Sequence, residues 1–283
     1  MNRRSGGQAV GMRAQPLTAG PPDRQTASWR LLLDPDGRSG AENMGTDQAL
    51  LDDAARSGTA TLRLYRWQPA CLSFGRNEAA VPFYDRAQIQ RLGIDVVRRP
   101  TGGRAVWHEH EVTYAVAAPI ETFGSLREAY HVIHEYLATA LRSLGADVSL
   151  APDRLPGDLP SRLPACFAMP VGGEILVGAR KLVGSAQVRQ GRALLQHGSI
   201  LLGGSQDMIA AVSSQPSAIS HHTSDVRGAT TLSAVLGRAV TFQEVANAVV
   251  AAFSDRLGTG ATCRAPTPPL SAVFLDPSWT WRR

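Results

Sequence analysis

Residues 180–202 read RKLVGSAQVRQGRALLQHGSILL. Two β-type runs lie in this stretch, 181–187 and 193–202, and a shorter one precedes them at 174–177. Gly184 and Ser185 are small residues inside a strand pattern, where glycine normally weakens the strand. They permit a ligand to approach the backbone closely, and the same composition also fits a β-bulge. Beside them stands Lys181. Every other one of the 29 basic residues is arginine. Lysine offers a compact ammonium with three rotatable donors, whereas arginine is a planar fork that stays charged. A position that keeps lysine where every other cation has become arginine is a candidate for chemistry. Chance survival of one surface lysine is the plainer reading of that residue alone.

Working outward, helical and strand patterns mix without regular alternation. Residues 29–33 and 94–98 have strand character. Residues 61–67 and 71–74 are expected to be strands joined by a turn at Gln68-Pro69. Residues 106–119 form one long β-rich run in which Val112, Tyr114 and Val116 alternate. Residues 41–56 follow a helical period with Met44, Leu50 and Leu51 apolar. Ser125 and Glu128 have the spacing of a capping box. They open a helix whose apolar face runs Leu126, Tyr130, Ile133, Leu137, Leu141 and Leu144. Thr241 and Glu244 open another, to about residue 257. Residues 151–164 carry four prolines and are expected to be a loop. The fold class this implies is α+β, a mixed sheet core flanked by helices, rather than a doubly wound parallel sheet. The expected organisation is a disordered leader over 1–27, a catalytic-type body over 28–258 and an extension over 259–283.

Residues 1–30 hold a net charge of +4, out of +5 for the whole chain. The body is therefore near neutral, which argues against a nucleic-acid-binding face. Cys71, Cys166 and Cys263 are odd in number and widely spaced. They suggest neither a disulfide framework nor a zinc site. No run approaches membrane-spanning length, so no membrane partner is expected, and a reducing cytoplasm is the expected location.

Three further constellations stand out. Arg98-Arg99-Pro100-Thr101-Gly102-Gly103-Arg104 lies between two strands. Its glycine amides could cradle a carbonyl or phosphate, with flanking arginines suited to an anionic ligand; a hairpin turn with solvated arginines is the alternative. Gln196-His197-Gly198-Ser199 places a histidine in an apolar strand, most often a satisfied core residue. His108 and His110 could line one strand face, while His221 and His222 fall in a polar loop. Cys166 is a lone cysteine, reactive only where a cation or similar group depresses its pKa. Lys181 follows it across what reads as a hairpin.

In this order the motifs resemble the biotin/lipoate–protein ligase and octanoyltransferase superfamily over roughly residues 30–250. The likeness begins at Glu42-Asn43-Met44 and Leu50-Leu51. It continues through Arg66-Trp67-Gln68-Pro69 and Leu72-Ser73-Phe74-Gly75, and is strongest at RRPTGGRAVWH and at the 180–202 stretch. Cys166-Phe167 before Arg180-Lys181 is similar to the cysteine-dependent octanoyltransferases of the Gram-positive type. That resemblance implies transfer of octanoyl from octanoyl-acyl carrier protein to a lysine of a lipoyl domain such as glycine-cleavage H protein, with no cofactor or metal. It implies Cys166 as the acyl-thioester nucleophile and Lys181 as the group that lowers its pKa and holds the acyl carbonyl. The acyl pocket would be formed by Arg99, Thr101, Gly102, Gly103, Arg104, Gly184, Ser185, Ala186, His197 and Gly198.

After Cys166 the family's asparagine and Pro-Ser-x-Tyr-Glu-like stretch are replaced by Ala168-Met169-Pro170-Val171-Gly172-Gly173-Glu174, of which Pro170 and Glu174 match. The alternatives are an ATP-dependent lipoate–protein ligase, which would not need Cys166, an amidotransferase between lipoyl domains, and a degenerate member that only binds. The shortness of the chain after residue 257 favours the transferase.

Overall fold

The computed structural model of the chain describes residues 27–152, 173–214, 228–257, 262–263 and 272–282. Cys166, most of the proline-rich 151–164 stretch, His221, His222 and residues 1–26 of the expected 1–27 leader lie outside the described residues. Strand β1 (Trp29–Arg38), helix α1 (Gly40–Ser57) and strand β2 (Ala60–Trp67) form a parallel β-α-β unit. Next come β3 (Cys71–Phe74), α2 (Arg86–Arg91), β4 (Asp95–Arg98), β5 (Val106–His108) and β6 (Glu111–Pro119). Helix α3 (Leu126–Ser143) leads to β7 (Ser149–Leu150), β8 (Ile175–Val177), β9 (Arg180–Gln190) and β10 (Ala193–Leu201). A later helix spans Phe242–Ala252, and β11 is Thr262–Cys263.

The large sheet runs β11-β1-β2-β6-β10-β9-β8-β7, and a second runs β4-β3-β5. The α+β expectation holds, with two differences. Strands β2 and β3 flank the Gln68-Pro69 turn, which contains a cis peptide bond, but they join different sheets. The single 106–119 run is likewise split between the two sheets, because the chain turns at Glu109 and His110. His110 is accordingly exposed while His108 is buried, so the two histidines do not share a face.

Strand alternation gives the large sheet two different faces. Leu62, Leu64, Tyr114 and Val116 pack with Ile133, Leu137 and Leu141 of α3 and with Val245 and Val249 of the Phe242–Ala252 helix. Tyr65, Ala115, Ala117 and Leu195 on the other face pack against Met44, Leu51 and Ala54 of α1. Both α1 and the Phe242–Ala252 helix carry complete capping boxes, Ser39/Glu42 and Thr241/Glu244. At α3 only half of the expected box forms: Ser125 accepts from the Glu128 amide. The C-terminal residues 272–282 pack across α1 and the second sheet through Phe274 and Trp281. No helix among the described residues is long and apolar enough to cross a membrane.

Candidate functional site

Strand pairing builds the site. Antiparallel β9 and β10 place Ala186 opposite His197, Ser185 opposite Gly198 and Gly184 opposite Ser199. Gly198 is required here, because a Cβ would sit 2.4 Å from the Gly184 carbonyl oxygen and 2.6 Å from Ser185 Oγ. The three small positions leave a cleft of about 330 Å³, partly open to solvent. Arg99, Gly184, Ser185, Ala186, His197 and Gly198 line it together, six of the residues expected to form one pocket. His108 and Trp67 line it as well, stacked with ring centroids 4.0 Å apart.

The arginine-glycine loop is held from beneath by two histidine–carboxylate pairs. His197 Nδ1 donates to Asp47 Oδ2 at 2.8 Å, and its Nε2 shares a 2.6 Å hydrogen bond with Thr101 Oγ1. Burial alone would raise the Asp47 carboxyl. The His197 hydrogen bond and the Arg63 guanidinium outweigh it and hold Asp47 below the usual carboxylate value. Arg63 is itself fully buried, bridging Asp47 (2.8 Å), Asp34 (2.9 Å) and Asn43 (2.8 Å).

Burial pulls the second ring, His108, below the usual histidine value, so it is neutral. Its Nδ1 donates to Glu111 Oε1 at 2.9 Å. Its Nε2 therefore accepts from Ser73 Oγ at 2.6 Å, and Ser73 Oγ in turn accepts from Arg99 Nη1 at 2.5 Å. The other Arg99 donors go to the carbonyls of Ser73, Gly102 and Arg104.

Neither Arg98 nor Arg99 is a solvated turn arginine, the alternative reading of that motif. Arg98 is fully buried and gives its donors to the carbonyls of Gly75, Glu78, Trp279 and Thr280. Burial, with Arg282 nearby, lowers its pKa to about 10. It ties the loop to the C-terminal segment, which the sequence left unplaced. Gly103 presses its carbonyl against Gly75, where a Cβ would come within 1.9 Å of the oxygen.

Lys181 is buried, with Nζ 2.5 Å from Glu174 Oε1 and both side chains almost fully covered. It does not belong to the wall of the cleft. A separate chain of neutral groups lies on the α3 side of the sheet. His134 Nδ1 donates to the Gly173 carbonyl at 2.5 Å, and Nε2 lies 2.8 Å from Ser185 Oγ. Burial, with the Lys181 charge adding to it, pushes the His134 pKa down to about 4. Burial, with the Asp95 carboxylate adding to it, raises the Cys71 thiol well above the ordinary value and marks it as inert.

Sequence reasoning missed Asp47, Arg63, Glu111 and His134, and noted Glu174 only as a family match. A signal existed for two of them. Asp47 falls between Met44 and Leu51 on the buried stripe of α1, and His134 falls on the buried stripe of α3. An ionisable residue at an apolar helical position needs a partner.

Residues 39–254 match the lipoyl protein ligase A/B catalytic domain family. Octanoyltransferase LipM of Kyrpidia tusciae is 37% identical over 280 residues, covering 90% of this chain and 99% of the relative. Octanoyltransferase LipM of Carboxydothermus hydrogenoformans is 41% identical over 179 residues, covering 62% of this chain and 65% of the relative. Among solved structures, a bi-partite lipoate protein ligase from Thermoplasma acidophilum superposes with a TM-score of 0.68 at 20% identity, covering 90% of this chain and 96% of that one. Lipoate-protein ligase A bound with ATP gives 0.64 at 23% identity, covering 87% and 90%. At those identities the structural likeness speaks for the fold. With the family match spanning most of the described body and a relative aligned over nearly its whole length, the chain belongs to the lipoyl protein ligase A/B catalytic domain family.

Proposed function

We propose that the protein is an octanoyltransferase of lipoate biosynthesis, moving octanoyl from octanoyl-acyl carrier protein to a lysine of an apo lipoyl domain, such as glycine-cleavage H protein, without ATP. The observation that carries this reading is Lys181. The one ammonium in a chain of arginines is buried against Glu174 on the strand that also supplies Gly184, Ser185 and Ala186 to the cleft. The relatives named Octanoyltransferase LipM support the same activity.

In the proposed mechanism the Cys166 thiolate attacks the donor thioester. The new C–S bond forms as the old one breaks, and the proton lost by Cys166 goes to the departing thiol. Lys181 stabilises the thiolate and the tetrahedral oxyanion. The acceptor ammonium gives one proton to solvent. Its nitrogen then attacks the acyl carbon, the C–S bond breaks with its electron pair on Cys166, and the second amine proton restores the thiol. The remaining pocket residues act in placing the acyl group: Arg99, His197 and Gly198 from the cleft wall, and Thr101, Gly102, Gly103 and Arg104 by shaping the loop. One thioester is exchanged for another, so no nucleotide is consumed.

The test is octanoylation of an apo lipoyl domain by the purified protein, followed by mass spectrometry of the acceptor. Transfer from octanoyl-acyl carrier protein without ATP is expected. It should be lost in Cys166→Ala and reduced at least about 100-fold in Lys181→Arg, because the guanidinium fork is larger and differently placed. Near-parental turnover in Lys181→Arg contradicts the role given to that residue. Modification that needs ATP and free lipoate makes the protein a ligase.

A further inference from the structure

Immediately before β8 the chain brings a carboxylate to its one ammonium, and the backbone on both sides of that meeting is pinned. The Glu174 carbonyl accepts from the Ala151 amide at 2.7 Å, and the Gly173 amide donates to the Ala151 carbonyl at 2.8 Å. The Gly173 carbonyl accepts from His134 Nδ1 at 2.5 Å. Gly173 itself has φ +82°, a left-handed conformation that favours glycine. On the other strand Lys181 stands opposite Leu176, and its carbonyl accepts from the Thr230 amide at 2.9 Å. The next β8–β9 pair is Ile175 with Val183, so the register slips at Leu182. Irregularities of this kind re-aim a side chain. Lys181 Nζ lies 2.5 Å from Glu174 Oε1, with the two side chains 1% and 2% exposed.

Burial disfavours a charged ammonium unless an opposite charge nearby offsets the water it has lost. Around the pair stand Tyr130 and His134 of α3 and Tyr114 of β6. Burial pushes His134 down to about 4 and raises the Tyr114 hydroxyl above the ordinary value, so both are neutral near pH 7. Arg180, next to Lys181 on β9, is exposed. Glu174 meets the ammonium at contact distance, where a unit charge acts most strongly. A lysine stabilises a thiolate or an oxyanion only while it holds its proton, and only from a fixed place. Glu174 serves both needs: its charge favours the protonated amine, and its hydrogen bond takes one of the three Nζ donors and so sets their direction.

We propose that Glu174 is a positioning residue for acyl transfer, holding Lys181 protonated and in place so that its ammonium stabilises the Cys166 thiolate and the tetrahedral oxyanion. This deepens the octanoyltransferase reading and rests on it. Glu174 acts through Lys181 and not on the acyl group itself. The consequence is a pH window. Without the carboxylate the ammonium gives its proton to solvent at lower pH, so loading of Cys166 fails first on the alkaline side.

The test uses the fact that Lys181 is the only lysine of the chain. Full-length protein grown on 13C,15N-lysine has a single lysine side-chain signal, whose titration by nuclear magnetic resonance reports the charge of Lys181 directly. In Glu174→Gln the titration midpoint should fall by at least about one pH unit from that of the parent. The rate of loading from octanoyl-acyl carrier protein should fall at least about tenfold at about pH 8.5, with the deficit shrinking toward about pH 6. Glu174→Asp keeps the charge one methylene farther away and should shift both readouts in the same direction by less. An unmoved midpoint in Glu174→Gln, or a loss of loading that is the same at every pH, overturns the assignment. Should Glu174→Gln prove unfolded by circular dichroism, Glu174→Asp decides by the same two readouts. If the parent forms no acyl-enzyme at any pH, the octanoyltransferase reading fails and the loading role with it. The titration midpoint does not depend on acyl transfer, so failure at Glu174 is seen separately.

Discussion

Adjacent residues of one strand serve two unlike networks. His197 on β10 points to the face where Asp47, Arg63 and Asp34 form a buried ionic cluster. Gln196, its neighbour, points to the opposite face and enters the neutral chain through Tyr114, Ser185 and His134. The ionic side is made of charges that need one another, because each would be costly in the sheet interior alone. It fixes Thr101 and thereby the arginine-glycine loop. The neutral side contains no formal charge, so its individual bonds are weaker. Together they hold the Ser185 hydroxyl between Tyr114 and His134 on the α3 face. The lesson is that one strand carries a charged network on one face and a neutral one on the other, and only the charged one holds the arginine-glycine loop.

That contrast can be broken at its strongest point first. Asp47→Ala would leave Arg63 with one carboxylate fewer, and His197 and Tyr65 without their shared acceptor. Chemical denaturation should show a loss of about 3–5 kcal/mol, the usual cost of unpairing a buried charge. A loss below about 1 kcal/mol would mean that the cluster does not hold the loop.

The neutral side makes its own prediction in pH. The His134 pKa falls from the model-peptide 6.5 to about 4 in the folded protein. Between these values the unfolded chain binds the proton and the folded one does not, so stability falls as pH drops from about 6.5 toward 4. The full shift corresponds to up to about 3 kcal/mol. Asp47 behaves differently. Its lowered folded pKa gives stability that persists above the unfolded value of about 3.9 and is lost only below it. Subtracting the pH–stability curve of His134→Asn from that of the parent should leave a slope confined to the 4–6.5 window. A flat difference curve would contradict the neutral assignment of His134. The smallest effect is expected for Tyr114→Phe, about 1–2 kcal/mol in the same denaturation assay, for the lost hydroxyl and the unsatisfied Gln196 donor.

Local patterns in the sequence identified the parts and not their pairing. The helical stripe of α3 and the Thr241/Glu244 box were readable because both are local. The split of the 106–119 run and the assignment of β2 and β3 to different sheets depend on partners far away in the chain. The resemblance grouped Arg99, Gly184, Ser185, Ala186, His197 and Gly198, which line one cleft, whereas on this strand pair the residues by themselves marked only Gly184 and Ser185 for close approach. The supports of the cleft were not readable, because Arg63, Asp47 and Glu111 have meaning only once β2, α1 and β6 are brought together. Arg98 illustrates the converse. Its motif pointed outward to an anion, whereas the fold turns it inward to hold Trp279 and Thr280.

The most direct measurement is the intact mass of the purified full-length protein after mixing with octanoyl-acyl carrier protein in the absence of ATP. A single octanoyl adduct, removed by hydroxylamine and absent from Cys166→Ala, is the expected result. An unmodified protein that nevertheless lipoylates an apo lipoyl domain once ATP and lipoate are added would contradict the transferase mechanism and leave Cys166 without a role in catalysis.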